Sequence, residues 1–246
     1  MNLVIDIGNT TSKYFCFEGD TLIRNDREEG HDLSFLSVLC QQRADAAIVS
    51  TVVDLPAEAE ERLRALPCPV LRFTTTTPIP LQNRYRTPGT LGTDRLAAAV
   101  GAWAQHPGKP LMVIDAGSCI TFDFVTAEGE YLGGNIAPGL HARLQAIGDY
   151  FPRLPLVAAE GDTPELGYDT ETAIRAGVIQ GMRHEIQGYI TTFSKRYEDL
   201  VVMLTGGDDI VFDHAVKRLM ITDHYMVPRG LNHILCYNLR LTKHAL

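Results

Sequence analysis

The chain has 246 residues, of which 45% are apolar and 21% are charged, and its formal net charge is −8. This length suits one large domain or two domains of about 100–150 residues, and the composition is that of an ordinary globular protein. The net negative charge and the scattered Lys and Arg residues argue against a basic surface that binds nucleic acid. An anionic substrate would therefore have to be bound by a local group of hydrogen-bond donors.

Export and membrane insertion are not indicated by any segment of the sequence. Residues 1–6 have no basic segment leading into an apolar run, and no apolar stretch approaches the ~20 residues needed to cross a bilayer. The five cysteines are odd in number, widely spaced and without a CxxC pair, which favours buried thiols in a reducing compartment. We therefore expect a cytoplasmic protein that contacts neither membrane nor nucleic acid.

Strand-like and helix-like segments alternate along the first half, which is typical of an α/β fold. The predicted elements are strands over 3–6, 12–17 and 21–25, a helix over 33–42, a strand over 46–53, a helix over 58–66 and a strand over 70–73. Residues 74–90, rich in threonine and proline, are predicted as loops. A helix over 94–103 follows, because consecutive alanines favour it.

A Pro-Gly-Lys-Pro sequence over 107–110 predicts a boundary, so we expect an N-terminal domain over 1–108 and a C-terminal domain over 109–246. The second domain is predicted to have strands over 111–115, 120–125, 131–136 and 201–204. A long helix is predicted over 171–193, because Ile174, Val178 and Met182 recur every four residues. A helix over 210–219 and a closing segment over 231–239 complete the prediction.

The opening of the second half repeats the opening of the first. Residues 111–118 restate residues 3–9, since in both an apolar strand leads into Asp-x-Gly and a polar residue, and a second strand follows. A glycine after a strand permits a tight turn whose backbone N–H groups suit phosphate oxygens. Two such loops could hold a triphosphate and its metal ion, and phosphoryl transfer needs little beyond such positioning. One loop alone would fit an ordinary hairpin equally well.

Side chains of the first loop suit a nucleotide. The hydroxyls of Thr10, Thr11 and Ser12 add donors, and Lys13 adds a positive charge. Asp6, at the carboxyl end of a strand, could hold a hydrated Mg²⁺ ion.

The second loop keeps a hydroxyl, at Ser118, and two acidic residues, Asp115 and Asp123. A third motif, Thr-Gly-Gly-Asp over 205–208, has adjacent glycines that would let the backbone approach a flat ligand such as adenine. By itself this motif would fit a turn in which Asp208 caps the following helix.

The start of the helix predicted over 94–103 could bind an acceptor substrate, because backbone N–H groups are unpaired there. Arg95 could bind a carboxylate through two parallel hydrogen bonds. Asp94 could accept the proton of a hydroxyl group that attacks the γ-phosphate. The alternative is that Thr93 caps the helix, Asp94 complements the helix dipole and Arg95 lies in solvent.

Four motifs in combination resemble those of type III pantothenate kinases. They are the Asp-x-Gly-Asn-Thr opening, Tyr-x-x-Pro-x-x-Leu-Gly-x-Asp-Arg over 85–95, the glycine-rich segment over 133–140 and Thr-Gly-Gly-Asp over 205–208. In order, the loops also resemble the two phosphate motifs and the adenosine motif of the acetate/sugar kinase, Hsp70 and actin superfamily. The resemblance implies an α/β fold of two duplicated ribonuclease H-like (actin-like ATPase) domains with an ATP cleft between them. One departure is Ser118-Cys119, where the family usually has Thr-Ala.

This resemblance implies ATP-dependent phosphorylation of pantothenate, the first step towards coenzyme A, with Asp94 as the general base. The implied pantothenate contacts are Tyr85, Gly92, Thr93, Asp94, Arg95 and Thr170. The implied ATP contacts are Asp6, Ile7, Gly8, Asn9, Thr10, Thr11, Ser12, Lys13 and Ser118. Asp115 matches the ligand of a monovalent cation, K⁺ or NH₄⁺, and Mg²⁺ accompanies ATP. A homodimer is also implied, for which the row Ala173, Gly177 and Gly181 is a candidate contact surface.

Two other functions stay open at this point. The first is a different enzyme of the same superfamily, such as a phosphatase or a kinase with another acceptor, and the motif over 85–95 argues against it. The second is a non-catalytic nucleotide-binding accessory or regulatory protein. Asp94 argues against the second, because a pure binding module has no need of a base beside a nucleotide.

Overall fold

A computed structural model describes residues 1–39, 43–208 and 220–244, with side chains described as far as residue 242. The chain forms two compact units, one of Met1–Gln105 with Tyr225–Leu246 and one of His106–His224. The helices are α1 (Leu36–Leu39), α2 (Ala57–Arg64), α3 (Thr93–Gln105), α4 (Leu140–Tyr150), α5 (Thr170–Arg196) and α6 (Met226–His244). None of the described helices is long and apolar enough to cross a membrane.

The first unit is built on a five-stranded sheet in the order β3-β2-β1-β4-β5. Its strands are β1 (Asn2–Ile7), β2 (Thr11–Glu18), β3 (Thr21–Glu29), β4 (Ala46–Thr51) and β5 (Val70–Arg72). The first three form an antiparallel meander, and β4 and β5 extend the sheet in parallel. The near-continuous apolar runs of β1 and β4 fit this arrangement, because strands with two covered faces need apolar residues throughout.

The predicted loop region of the first unit is nearly as expected. Residues 74–90 contain the two-residue strand β6 (Gln82–Asn83) and a short 3-10 turn over Pro88–Thr90, with irregular chain elsewhere. The helix predicted over 33–42 is shorter in the described residues, where it spans Leu36–Leu39.

The second unit has the same topology as the first. Its strands are β7 (Leu111–Ala116), β8 (Cys119–Val125), β9 (Glu130–Pro138), β10 (Val201–Gly206) and β11 (Ile221–Thr222). Strands β7 to β9 form an antiparallel meander, and β10 and β11 add in parallel beside β7. The order β9-β8-β7-β10-β11 therefore matches β3-β2-β1-β4-β5. The duplication predicted from two short loops extends over both sheets.

Helix α5 begins at a capping box. The Asp169 side chain accepts from the backbone N–H of Thr172, and the Thr172 hydroxyl accepts from the backbone N–H of Asp169. The residues predicted to form its buried face are buried in the core of the second unit: Ile174, Val178, Met182, Ile186 and Ile190. The small-residue row predicted beside that face is exposed within the chain: Ala173, Gly177 and Gly181.

Two parts of the fold differ from the sequence analysis, and one lies outside the described residues. Helix α4 was not predicted. The segment over 231–239 is part of α6, which was placed in a C-terminal domain over 109–246 but belongs to the first unit. The reason is packing, because α6 contacts α3, β1 and β4 through the buried side chains of Leu231, Ile234 and Leu235. The helix predicted over 210–219 lies outside the described residues.

Asn232 provides a test of this placement of α6. Its side chain is 1% exposed. It donates to the Gly19 carbonyl at 2.9 Å and accepts from the Asn2 amide at 2.8 Å. Replacing Asn232 by Ala removes both hydrogen bonds of a buried side chain, so we expect Asn232→Ala to lower the free energy of unfolding by about 1–3 kcal/mol in urea denaturation. The exposed Asn25→Ala is the control and should change it by less than about 0.5 kcal/mol. Equal effects of the two substitutions would contradict the placement.

Candidate active site

The first Asp-x-Gly motif forms the hairpin loop between β1 and β2. Asp6 on β1 pairs with Lys13 on β2, and the Gly8 N–H donates to the Thr11 carbonyl at 2.9 Å. A negative and a positive side chain therefore flank the base of a tight loop. This is the arrangement expected of a loop that binds phosphate together with a cation.

Accessibility divides the predicted ATP contacts of this loop into two groups. Asn9, Thr10 and Lys13 are exposed and Thr11 is half-buried. Two residues are fully buried, Ile7 and Ser12. The Ser12 hydroxyl donates to the Gly30 carbonyl at 2.8 Å, so it serves the loop's own structure instead of adding the phosphate donor that was expected.

The charge of Asp94 acts on Asp6 of the first loop. Burial raises the pKa of Asp6, the positive charge of Lys13 opposes that rise, and the negative charge of Asp94 adds to it. Asp94 therefore lies near enough to the first loop for its charge to be felt there. Two carboxylates near the first loop supply oxygen ligands of the kind that a divalent cation prefers.

The segment that was predicted to bind the acceptor lies at the beginning of α3. Asp94 is exposed, whereas Arg95 is only 6% exposed, so the alternative with Arg95 in solvent is wrong. The Arg95 guanidinium lies over the Tyr85 ring, 5.8 Å from its centroid, a distance typical of a cation–π contact. The Asp94 carboxylate accepts from the Arg95 backbone N–H at 2.9 Å. This hydrogen bond fixes the carboxylate at the beginning of α3.

Gly92 leaves room for the Asp94 carboxylate, which folds back against it. A Cβ atom at residue 92 would overlap Asp94 Oδ1. The Gly92 carbonyl also accepts the Leu96 N–H at 3.3 Å, so this residue occupies the turn that begins the helix. The glycine of the sequence motif thus allows the carboxylate next to it to take its position.

In the second unit, the loop between β7 and β8 repeats the first loop with one residue fewer. The Gly117 N–H donates to the Cys119 carbonyl at 3.0 Å, and Ser118 forms the exposed tip. Cys119 is exposed, so the prediction of buried thiols is wrong for it, whereas Cys16 is buried as predicted. Asp123, which was counted among the acidic residues of this loop, is 1% exposed and accepts from the Tyr131 hydroxyl at 2.6 Å.

Backbone hydrogen bonds bring three of the predicted motifs of the second unit together. The Ala116 carbonyl accepts from the N–H groups of Gly207 and Asp208, both at 3.0 Å. Gly206 makes this approach possible with a φ of +100°, which only glycine adopts readily. The Gly139 N–H donates to the Ser118 carbonyl at 3.1 Å. The second loop is therefore held by the residues that follow both β9 and β10.

Asp208 lies at the start of α4, and the helix that it was predicted to cap lies outside the described residues. Its carboxylate accepts from the backbone N–H of Leu140, the first residue of α4, and its Oδ1 lies 3.9 Å from His141 Nε2. Burial raises the pKa of Asp208, while the charge of His141 and the Leu140 hydrogen bond lower it. The Thr-Gly-Gly-Asp motif is thus joined to the glycine-rich segment over 133–140.

The remaining predicted residues lie in the second unit. Thr170 is the exposed first residue of α5, and Asp115 is half-buried on β7. Over residues 1–39, 43–208 and 220–244 the structure describes no group of three or more His, Cys, Asp or Glu side chains arranged to hold a metal ion.

One residue of the first loop's surroundings escaped the sequence analysis. His31 Nε2 lies 2.9 Å from the Gly8 carbonyl oxygen, although the two residues are far apart in sequence. No spacing or composition indicates this contact, because it depends on how β3 ends.

Comparison with known proteins agrees with this arrangement. Residues 2–192 match the family model of type III pantothenate kinases. A type III pantothenate kinase from Bacteroides fragilis is 48% identical over 239 residues, which covers 97% of this chain and 98% of the relative. The chain belongs to the type III pantothenate kinase family. The resemblance inferred from the four sequence motifs is thereby confirmed, and as a member of this family the chain is a kinase.

Solved structures support the fold of this pantothenate kinase family member. A Campylobacter jejuni protein described as a Baf family transcriptional activator matches with a TM-score of 0.60 at 21% identity, covering 97% of this chain and 99% of that one. A ROK family protein from Streptococcus pneumoniae TIGR4, solved in complex with sucrose, matches with a TM-score of 0.54 at 13% identity and the same coverage. Together with the repeated topology, they confirm the predicted α/β fold of two ribonuclease H-like units.

The raised pKa of Asp6 predicts how this pantothenate kinase family member depends on pH for stability. The pKa of Asp6 in the folded protein lies above its ordinary value of 3.8. The contribution of this group to stability is therefore full below pH 3.8 and is lost as pH rises through the folded pKa. Asp6→Asn should therefore raise the melting temperature by a few degrees near pH 7, with the gain shrinking as pH falls towards 4. Thermal unfolding across this range measures the effect.

The control for this experiment is Asp26→Asn, since Asp26 is exposed on β3 of the same unit and should show no such gain. A lower melting temperature for Asp6→Asn at pH 7 than for the unchanged chain would contradict the interpretation.

Proposed function

We propose that this chain transfers the γ-phosphate of ATP to the hydroxyl group of pantothenate, forming 4'-phosphopantothenate for coenzyme A biosynthesis, with Asp94 as the general base. The observation that carries the proposal is the position of Asp94. It is exposed, lies at the beginning of α3 beside a buried arginine, and its charge acts on Asp6 of the first phosphate loop. A base must lie near both the acceptor hydroxyl and the phosphate that is attacked.

Arg95 is proposed to bind the carboxylate of pantothenate. A buried guanidinium keeps its planar group of donors in one orientation, and the Tyr85 ring supports that orientation. Gly92 and Thr93 supply backbone groups at the helix start, where an anion is favoured. Thr170 is proposed as a further contact of the substrate. Asp94 would then accept the proton as the hydroxyl oxygen attacks.

ATP is proposed to bind through its phosphates to the first loop and to Ser118 of the second. In the first loop the proposed contacts are backbone groups of Asp6, Ile7, Gly8 and Ser12 together with Asn9, Thr10, Thr11 and the Lys13 ammonium group. Asp6 would hold Mg²⁺ through a water molecule, and the ion would neutralise charge on the phosphate oxygens when bound. The acidic pair Asp6 and Asp94, beside the Lys13 ammonium group, fits such an ion.

Several finer properties belong to the same proposal. Asp115 is proposed as the ligand of a monovalent cation, K⁺ or NH₄⁺, since its carboxylate lies on β7 just before the second loop. The chain is proposed to act as a cytoplasmic homodimer, with the exposed row Ala173, Gly177 and Gly181 of α5 in the contact surface. Small side chains would let a second helix approach closely there.

Asp94→Asn tests the assignment of the base. The amide keeps the shape of the carboxylate but cannot accept the proton, so we expect kcat to fall roughly 10²-fold or more. ATP affinity should stay close to that of the unchanged chain, because the phosphate loops are intact. A coupled assay of ADP release with pantothenate and K⁺ present measures the first quantity, and calorimetry with ATP and Mg²⁺ measures the second.

The matched control is Asp54→Asn, since Asp54 is an exposed carboxylate of the same unit and its loss should leave kcat unchanged. If Asp94→Asn turned over pantothenate as fast as the unchanged chain, Asp94 would not be the base. If the unchanged chain bound ATP but phosphorylated no pantothenate, a nucleotide-binding regulatory function would replace the proposed one.

Asp115→Asn tests the proposed cation ligand. The unchanged chain should be activated when KCl replaces choline chloride at constant ionic strength, and Asp115→Asn should lose most of that activation, because the amide removes the charge that binds the cation. Initial rates at saturating ATP and pantothenate measure this response. Asp149→Asn, an exposed carboxylate on α4, should respond like the unchanged chain. If Asp115→Asn were activated by K⁺ as strongly as the unchanged chain, Asp115 would not be the cation ligand.

A further inference from the structure

The residues that follow β3 are bound to the first phosphate loop by three hydrogen bonds. The Gly30 N–H donates to the Thr10 carbonyl at 2.8 Å, and the Gly30 carbonyl accepts from the Ser12 hydroxyl at 2.8 Å. His31 adds the third, between its Nε2 and the Gly8 carbonyl at 2.9 Å. A carbonyl oxygen can only accept, so Nε2 carries the proton of this bond.

The His31 contact replaces a bond that an ordinary hairpin of this length would make. The Gly8 N–H donates to the Thr11 carbonyl, and a closed two-residue turn would add the return bond from the Thr11 N–H to the Gly8 carbonyl. Among the described residues this return bond is not formed. The Gly8 carbonyl is instead directed out of the hairpin towards His31, so the side chain compensates for a backbone bond that the loop gives up.

The direction of one carbonyl fixes the direction of the next N–H group. A peptide group is planar and trans, so its C=O and N–H point to opposite sides. Holding the Gly8 carbonyl towards His31 therefore turns the Asn9 N–H away from it, at the exposed tip of the loop. In the same way, the bond from Gly30 to the Thr10 carbonyl turns the Thr11 N–H away. Two backbone donors are thereby oriented to one side, as in an anion-binding nest.

The second loop shows what His31 adds. The bond from the Gly139 N–H to the Ser118 carbonyl repeats the bond from the Gly30 N–H to the Thr10 carbonyl. Aligning the two meanders through these glycines places Leu140, which is fully buried, at the position of His31. The backbone clamp is thus common to both units, and the imidazole donor belongs to the longer first loop.

We infer that His31 is a positioning residue for ATP: its Nε2–H holds the Gly8 carbonyl and so keeps the loop's backbone N–H groups directed at the phosphates. This inference rests on the proposed function, in that the first loop binds ATP. His31 acts through the loop and contacts no reacting atom. Both the Nε2–H tautomer and the imidazolium form supply the required donor, so a side chain with an amide donor at similar reach should replace it.

The test compares His31→Leu with His31→Gln in the full chain. His31→Leu removes the donor, and we expect the dissociation constant and KM for ATP to rise about 3- to 10-fold, the worth of one such hydrogen bond. KM for pantothenate should stay within about two-fold, because the site at the start of α3 is unaffected. His31→Gln should restore ATP affinity to within about two-fold of the unchanged chain. Calorimetry with ATP and Mg²⁺ and steady-state kinetics measure these quantities.

His233→Leu is the matched control. His233 Nδ1 lies 3.7 Å from Asp20 at the far end of the β2–β3 hairpin, so its loss should leave ATP affinity unchanged. Equal ATP affinity of His31→Leu and the unchanged chain would overturn the inference. It would also be overturned if His31→Gln bound ATP as weakly as His31→Leu. An unchanged chain that binds no ATP would overturn it too. If ATP affinity follows the expected pattern but pantothenate is not phosphorylated, the proposed function fails and the role of His31 stands.

Discussion

The structure depends on a backbone clamp that occurs once in each unit. The residue after the third strand of each meander donates its N–H to a carbonyl at the tip of the loop between the first two strands, Gly30 to Thr10 and Gly139 to Ser118. Carbonyls that are held inwards direct the neighbouring N–H groups outwards. This arrangement suits the phosphate binding proposed for these loops, which then needs no basic cluster in an acidic chain.

Two charged groups of the first unit are buried where burial costs stability. Asp6 is half-buried with a raised pKa, and Arg95 is almost fully buried over an aromatic ring. Asp94, in contrast, is exposed and accepts the N–H of its neighbour at the start of α3. The proposed function accounts for the two buried charges, since Asp6 would hold a cation and Arg95 would bind the carboxylate of the substrate. Such a trade of stability for function is common in active sites.

Much of the fold and part of the site could be predicted because their signals are local. Apolar runs ending in Asp-x-Gly predicted β1 and β7, and a four-residue apolar period predicted α5. Three features that the sequence analysis did not predict depend on distant contacts. Helix α6 joins the first unit because its apolar face packs on α3, β1 and β4. Ser12 turns inwards because Gly30 lies beside it, and His31 reaches Gly8 only through the end of β3. The spacing of residues along the sequence does not indicate contacts between distant segments.

Phosphoryl transfer to pantothenate is the central claim, and it is tested most directly by following the γ-phosphate itself. The full chain would be incubated with pantothenate, Mg²⁺, K⁺ and ATP labelled in its γ-phosphate, and the products would be separated and identified by mass spectrometry. We predict that the label appears in pantothenate carrying one added phosphate. Label that stays in ATP, or is recovered only as inorganic phosphate, in a chain shown by calorimetry to bind ATP would contradict the account.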